Sequence, residues 1–262
     1  MHMQHASKHT TIIPKKGIYS VSGYCLSCRT IHGLPMDEAI HYGRELIHHF
    51  QQNKTIDLQP GSDSDPRLST EYLFGKARGK MFGVLVCKDL SNNTKILRAF
   101  SGQYNGLWMV EGWMPPLFDL DTFNSTNVPG EKTIKALGTQ LEACTPKSDE
   151  WRAIRIQRKQ LSRELMQKLH AIYRLKNFHN NEASLFEAYS GTNGIPTGTG
   201  DCCGPKLLNY AAVNNLTPIA LAEFYWGLDN KSGSKKHGRF YPSCREKCEP
   251  ILGYMLCGLK RQ

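Results

Sequence analysis

The sequence lacks any apolar run close to the roughly 20 residues that a membrane-spanning helix needs. It also lacks the apolar segment of a secretory signal, because residues 1–17 are rich in His and Lys and hold only a short Thr-Ile-Ile patch. Internal repeats are absent as well. We therefore expect no membrane-spanning segment and a location in the reducing cytoplasm, where cysteines stay as thiols or bind metal.

Acidic side chains are scarce relative to basic ones. The 33 Lys and Arg residues outnumber the 23 Asp and Glu residues, so the 262-residue chain carries a formal net charge of +10. Such an excess favours an anionic partner, and nucleic acid is a better candidate than a membrane surface. RNA is the partner that we predict.

Length and hydrophobic patterning favour an α/β fold, a mixed β-sheet flanked by helices. A chain of this size can bury one large core or two modest ones. We predict a polar leader over residues 1–34 and a single α/β module over residues 35–262. The module begins with an amphipathic helix at 36–52, followed by strands at 80–88 and 95–100. The first of these strands is almost continuously apolar, which indicates burial on both faces.

The cysteine core, residues 198–257, holds five of the nine cysteines. Glycines lead into Asp201 and Cys202, and the apolar periodic run that follows predicts a helix beginning at Cys202. An apolar strand is predicted at 218–226 and a second helix from Cys248. The core is thus a helix, a strand and a helix, with thiols at both helix starts.

Thiols in these positions fit three kinds of chemistry. In the first, Cys202, Cys244 and Cys248 bind Zn²⁺, with His237 or a water as fourth ligand, because a Cys-x3-Cys spacing suits paired zinc ligands. In the second, Cys202 is a nucleophile whose pKa is lowered by the helix N-terminus, and His237 is its base, as in papain-like and transglutaminase-like amidases. In the third, the thiols are ordinary buried core residues.

A separate Cys-x-x-Cys pair, Cys25 and Cys28, lies near His32 in the predicted leader. It is a weak zinc signal, because no second pair follows at the spacing of a zinc finger.

The longest predicted helix, residues 150–176, carries a basic stripe. Apolar residues recur at helical spacing on one face, and the opposite face presents four cations: Arg152, Arg155, Lys159 and Arg163. Such a stripe is suited to neutralising the phosphates of RNA. The alternative is a solvated helix face with no partner.

The order of thiols in the cysteine core resembles that of zinc-dependent nucleobase deaminases. In those enzymes one ligand opens a helix, and a Pro-x-Cys…Cys pair opens the next helix across an intervening strand. A glutamate two residues after the first ligand relays protons there; here that position is Gly204. Asp201 and Glu223 are the carboxylates that could take over this role.

Six stretches in one order also resemble the N-terminal extension of long bacterial RluA-type pseudouridine synthases, over roughly residues 35–256. They are Gly79-Lys-Met-Phe-Gly-Val-Leu-Val86, Ala99-Phe-Ser-Gly102, Pro115-Pro-Leu-Phe-Asp119, Gly200-Asp-Cys-Cys-Gly-Pro-Lys-Leu-Leu208, Ala222-Glu-Phe-Tyr-Trp-Gly227 and His237-Gly-Arg-Phe-Tyr-Pro-Ser-Cys-Arg-Glu-Lys-Cys-Glu-Pro-Ile-Leu252. The resemblance implies an RNA-modification setting and a pseudouridine synthase as a partner. It does not imply pseudouridine synthesis, because the Arg-Leu-Asp motif of the synthase domain is absent.

Three hypotheses follow from the sequence. The chain is a zinc-dependent, deaminase-like enzyme that uses Asp201 or Glu223, an RNA-binding accessory module with a structural zinc, or a thiol amidase that uses Cys202 and His237.

Overall fold

The computed structural model describes residues 21–59, 61 and 65–259, so the first 20 residues of the predicted leader lie outside the described part. The described elements, in chain order, are β1 (Val21–Cys25), β2 (Thr30–Leu34), α1 (Asp37–Asn53), β3 (Lys80–Lys88), β4 (Thr94–Phe100), α2 (Leu120–Ala143), α3 (Asp149–Ile172), β5 (Leu175–Lys176), β6 (Glu182–Ala183), α4 (Leu185–Ala188), α5 (Cys203–Val213), β7 (Thr217–Trp226), β8 (Phe240–Tyr241) and α6 (Glu249–Met255). This content confirms the α/β fold class.

The central sheet has the strand order β4-β3-β7-β8. All of its pairings are antiparallel, rather than mixed as the sequence suggested. The cause is local: β3 and β4 form a hairpin, whose turn is held by Asp89 accepting hydrogen bonds from the N–H groups of Ser91 and Asn93. After α5, the chain enters β7 along the free edge of β3 in the opposite direction.

Helices cover both faces of this sheet. Alternation along β3 sends Phe82 and Val84 toward α1, where Phe50 packs against them, and sends Leu85 toward α5 and α6. The predicted burial of this strand on both faces is confirmed. Gly83 lets α5 approach closely, because a Cβ there would lie 2.6 Å from the Cβ of Cys203.

In the sequence, a long helical hairpin lies between the first pair of sheet strands, β3 and β4, and the second pair, β7 and β8. The predicted basic helix is α3, and α2 packs against it. No helix was predicted from the sequence at 120–143, where Pro129 interrupts the helical pattern. No helix in the described residues is long and apolar enough to cross a bilayer.

The described end of the predicted leader is part of the fold. Residues 21–34 form the antiparallel hairpin β1–β2, which packs on α6. This packing is unusually close, because a Cβ on Gly253 would lie 2.5 Å from the backbone nitrogen of Cys25. Residues 21–34, which the sequence placed in the leader, thus pack on the last helix of the cysteine core.

Candidate functional site

Three thiols meet where α5 and α6 begin. Cys202 is the N-cap of α5, Cys248 is the N-cap of α6, and Cys244 lies in the turn before it. That turn is closed by the carbonyl of Cys244, which accepts hydrogen bonds from the N–H groups of Cys248 and Glu249 at 3.2 and 3.0 Å. The three sulfurs lie within 4.8 Å of one another, so together they could hold a metal ion. The structure thus brings together the three thiols that spacing singled out.

The three sulfurs also lie close enough to change one another's pKa. Cys244 and Cys248 are separated by 3.3 Å between their Sγ atoms. Hydrogen bonding with Cys202 and then with Cys248 lowers the pKa of Cys244. Hydrogen bonding with Cys244 raises the pKa of Cys202, which Cys248 opposes, and hydrogen bonding with both partners raises the pKa of Cys248. The pKa of Cys202 is thus raised, chiefly by hydrogen bonding with Cys244 and by burial, and not lowered as its place at the helix start predicted. Cys203 stays outside the trio and donates its S–H to the carbonyl of Met81 at 3.3 Å.

Glu223 brings a carboxylate to the first turn of α5. The alternation of β7 places it on the same face as Leu221, toward that helix. Its Oε1 accepts the N–H of Gly204 at 2.7 Å. A Cβ on Gly204 would lie only 3.3 Å from this Oε1 and 3.5 Å from Oγ of Ser243. The carboxylate of Glu223 therefore fills the space beside Gly204 into which a side chain at position 204 would extend.

The carboxyl group of Glu223 is buried away from solvent. Burial raises the pKa of its carboxyl group to about 7, the charge of Cys244 adds to the rise, and the hydrogen bond from Gly204 opposes it. The nearby Ser243 Oγ is buried and has no hydrogen-bond partner among the described residues. A buried carboxyl group that titrates near neutrality is the property a proton relay requires.

Asp201 has a different environment from Glu223. Its Oδ1 accepts the hydroxyl of Tyr173 at 2.6 Å, and its carbonyl accepts the N–H of Gly102 at 2.7 Å. Burial raises the pKa of Asp201, while the hydrogen bond from Tyr173 and the charges of Lys206 and Lys247 lower it. Asp201 therefore ties the approach to α5 to the end of α3 and to the loop after β4, which is a positioning role.

The structure does not bring His237 to the thiols. Its ring packs 4.2 Å from that of Trp226 and 5.2 Å from that of Phe74, measured between centroids. Its Nδ1 accepts the N–H of Gly227 at 3.1 Å, and Asp229 accepts its backbone N–H. The loop after β7 thus folds His237 back onto the end of that strand. The predictions that His237 is the fourth metal ligand and the base for Cys202 are therefore corrected. Among the described residues, the trio has only sulfur ligands.

The basic stripe lines a groove of about 790 Å³ between α3 and the segment after it. Arg155, Lys159 and Arg163 all lie in the groove, with Phe186 on the opposite wall. Arg158 also lines the groove, although it was not predicted from the sequence to be part of the stripe. Arg152 does not line the groove; it forms an exposed ion pair with Asp149 at 3.1 Å.

A second group of possible metal ligands was not predicted from the sequence as a complete set. The atoms of Cys25, Cys28, His32 and Cys257 that could ligate a metal also lie within 4.8 Å of one another. The sequence showed the first three close together, but only the fold brings Cys257 to them. No short motif could have signalled this contact.

Comparison with known proteins finds no family model, no curated protein and no solved structure that matches this chain. The resemblances to nucleobase deaminases and to the extension of pseudouridine synthases therefore stay predictions. The structure itself supports a coarser statement, that the described part of this α/β protein contains one group of three cysteines and one of three cysteines and a histidine that could each hold a metal ion.

Proposed function

We propose that the chain is a zinc-dependent hydrolase that removes an amino group from a nucleobase, with Cys202, Cys244 and Cys248 as zinc ligands. The observation that carries this proposal is the position of Glu223. Deaminases of this kind need a carboxylate beside the first turn of the first ligand helix. In this chain Gly204 leaves that space open, and the neighbouring strand supplies the carboxylate.

The ligand set suits a catalytic zinc. Three protein ligands leave the fourth tetrahedral position for water, which is the arrangement of catalytic rather than structural zinc sites. Zinc bound there would lower the pKa of that water toward neutrality.

Glu223 then moves the protons. One carboxylate oxygen is held by Gly204, and no described residue donates to the other, so this second oxygen is available to accept a proton from the water. The water would add across the ring carbon–nitrogen double bond at the carbon that bears the amino group, and Glu223 would pass the first proton to the ring nitrogen. Glu223 would then carry the second proton, from the new hydroxyl group, to the amino group, and the bond to that group would break to release ammonia. The products are a carbonyl base and ammonia.

RNA is the substrate class that the charge distribution favours. The groove on α3 clusters four cations on one exposed face, and a loop leads from Ile195 at the groove wall to Cys202. These cations would neutralise the phosphates of a bound strand. An RNA-binding module whose zinc serves only for folding is the second candidate, favoured by the same groove.

The thiol amidase is the least favoured hypothesis. It requires a reactive Cys202 next to His237. The pKa of Cys202 is raised, and His237 packs on Trp226 instead.

The test compares ammonia release by wild type, Glu223→Gln and Glu246→Gln, with cytidine, adenosine and single-stranded RNA as substrates. Glu246 is an exposed glutamate between two of the ligands, so it is a matched control for the charge change. We expect Glu223→Gln to keep its zinc and lose at least about a hundredfold in rate, because general acid–base catalysis contributes that much. Glu246→Gln should stay active.

Full ammonia release by Glu223→Gln would contradict the proposed role of this residue. RNA binding by a zinc-loaded protein that releases no ammonia from any of the three substrates would favour the binding module.

A further inference from the structure

The group formed by Cys25, Cys28, His32 and Cys257 has the composition of a closed metal site. Nε2 of His32 lies 3.0 Å from Sγ of Cys28, and Sγ of Cys257 lies 3.8 Å from Sγ of Cys28. All four ligand atoms fall within 4.8 Å of one another. Three sulfurs and one imidazole nitrogen form a tetrahedral set that zinc prefers, and four protein ligands leave no position for water.

The β1–β2 hairpin prepares three of these ligands. Cys25 ends β1, Thr30 begins β2, and the two residues pair directly across the hairpin. Arg29 adopts a left-handed conformation with φ of 55°, which turns the chain sharply, and the hydroxyl of Thr30 donates to the carbonyl of Cys28 at 3.1 Å. This turn presents the Cys-x-x-Cys pair on one side of the hairpin, with His32 beside it.

The fourth ligand comes from the far end of α6. Cys257 follows this helix directly, and its carbonyl accepts the N–H of Phe178 at 2.9 Å. The hairpin and α6 touch through two glycines, Gly23 and Gly253, whose missing Cβ atoms would clash with the opposing backbone. The seven-residue helix therefore has the Cys202–Cys244–Cys248 trio at its start and the four-ligand group just past its end.

We propose that Cys25, Cys28, His32 and Cys257 bind a second Zn²⁺, which is structural and fastens the β1–β2 hairpin to α6. This zinc holds the helix whose N-cap is Cys248, so it also stabilises the first site. The inference concerns ligand chemistry alone and does not depend on what the first site catalyses.

The test is the zinc content of the full-length protein, purified without an affinity tag under reducing conditions and dialysed against a weak chelator. We expect about two zinc ions per wild-type chain, and about one in Cys28→Ser and in Cys244→Ser, because each variant removes one ligand set. Cys144→Ser is the matched control, since Cys144 belongs to neither group. It should keep both ions.

A second pair of variants distinguishes the loss of a zinc ligand from misfolding of the chain. Cys28 is exposed, so its substitution changes little packing, and Cys28→His replaces one zinc ligand by another. We expect Cys28→His to bind as many zinc ions per chain as wild type. At low temperature, Cys28→Ser should keep the circular dichroism spectrum of the folded chain. Co²⁺ loaded in place of Zn²⁺ should give thiolate charge-transfer absorption that is reduced, but not abolished, in Cys28→Ser.

Two results would overturn the inference. One is a wild-type zinc content that does not change in Cys28→Ser but falls in Cys244→Ser. The other is a disulfide among Cys25, Cys28 and Cys257 in protein kept reduced throughout, detected by mass spectrometry after alkylation. Neither result depends on ammonia release, so failure of this inference is distinguishable from failure of the proposed catalytic function.

Discussion

Replacing Gly253 by alanine should detach the β1–β2 hairpin from α6. The new Cβ would lie 2.5 Å from the backbone nitrogen of Cys25 and closer still to the carbonyl group of Tyr24, whereas ordinary contact begins at 3.4 Å. The backbones must therefore separate by about 0.9 Å or more, and no flexible side chain can absorb the movement. Overpacking of this kind costs about 1–3 kcal/mol or more.

Helix propensity offsets part of this cost, since alanine is favoured over glycine inside a helix by about 1 kcal/mol. Because this contact is far shorter than an ordinary one, the cost lies at the upper end of its range, about 3 kcal/mol, and we expect a net loss of about 2 kcal/mol in the free energy of unfolding. That corresponds to a fall of about 4–8 °C in Tm for a protein of this size. Thermal unfolding followed by circular dichroism, with zinc content held equal, measures it.

Gly138→Ala is the matched control for this experiment. Gly138 lies inside α2, and a Cβ there would meet only the side chain of Arg158 at 3.8 Å. Helix propensity then acts alone and should raise the free energy of unfolding by up to about 1 kcal/mol. Equal stability of the two variants would refute the close contact between hairpin and helix.

Three further predictions concern the site and its surroundings. Gly204→Ala should displace the carboxylate of Glu223 and lower the rate of ammonia release about tenfold without loss of zinc; an unchanged rate would contradict the proposed geometry. Burial lowers the pKa of Lys206 to about 8, so between pH 8 and its ordinary value of 10.5 the folded chain binds fewer protons than the unfolded one. The free energy of unfolding of wild type should therefore rise with pH relative to that of Lys206→Met, by up to about 3 kcal/mol, as denaturant titrations would show. In fluorescence anisotropy with single-stranded RNA, Arg158→Ala should reduce the slope of log affinity against log salt by about one, whereas Arg152→Ala, outside the groove, should leave it nearly unchanged.

Periodicity and spacing were sufficient to predict much of the cysteine core. The helix at Cys202, the strand before Trp226 and the helix after Cys248 all follow from local patterns, and the three thiols meet because α5 and α6 pack against each other. The carboxylate was harder to choose. Asp201 is next to a ligand in sequence, but the register of β7 brings Glu223 to α5 instead.

The remaining errors share one physical cause, which is that local sequence does not report contacts between distant segments. His237 stands close to Cys244 in sequence, yet the loop that contains Asp229 turns it onto Trp226. Cys25 and Cys28 appeared isolated because their partner Cys257 lies more than 200 residues later. No helix was predicted for the segment of α2, which packs on α3 and contains Pro129.

The pairing of β1–β2 with the end of α6 also has a consequence for how the chain is made. Cys28 and Cys257 lie 229 residues apart in sequence but meet in the fold. A ribosome releases the hairpin early, and its thiols must stay reduced and unoccupied, or bind metal only loosely, until α6 emerges. Closing so long a loop is entropically costly and slow. The β1–β2 hairpin should therefore be the last part of the described fold to dock, and the zinc proposed for this group would be bound by all four ligands only after that step.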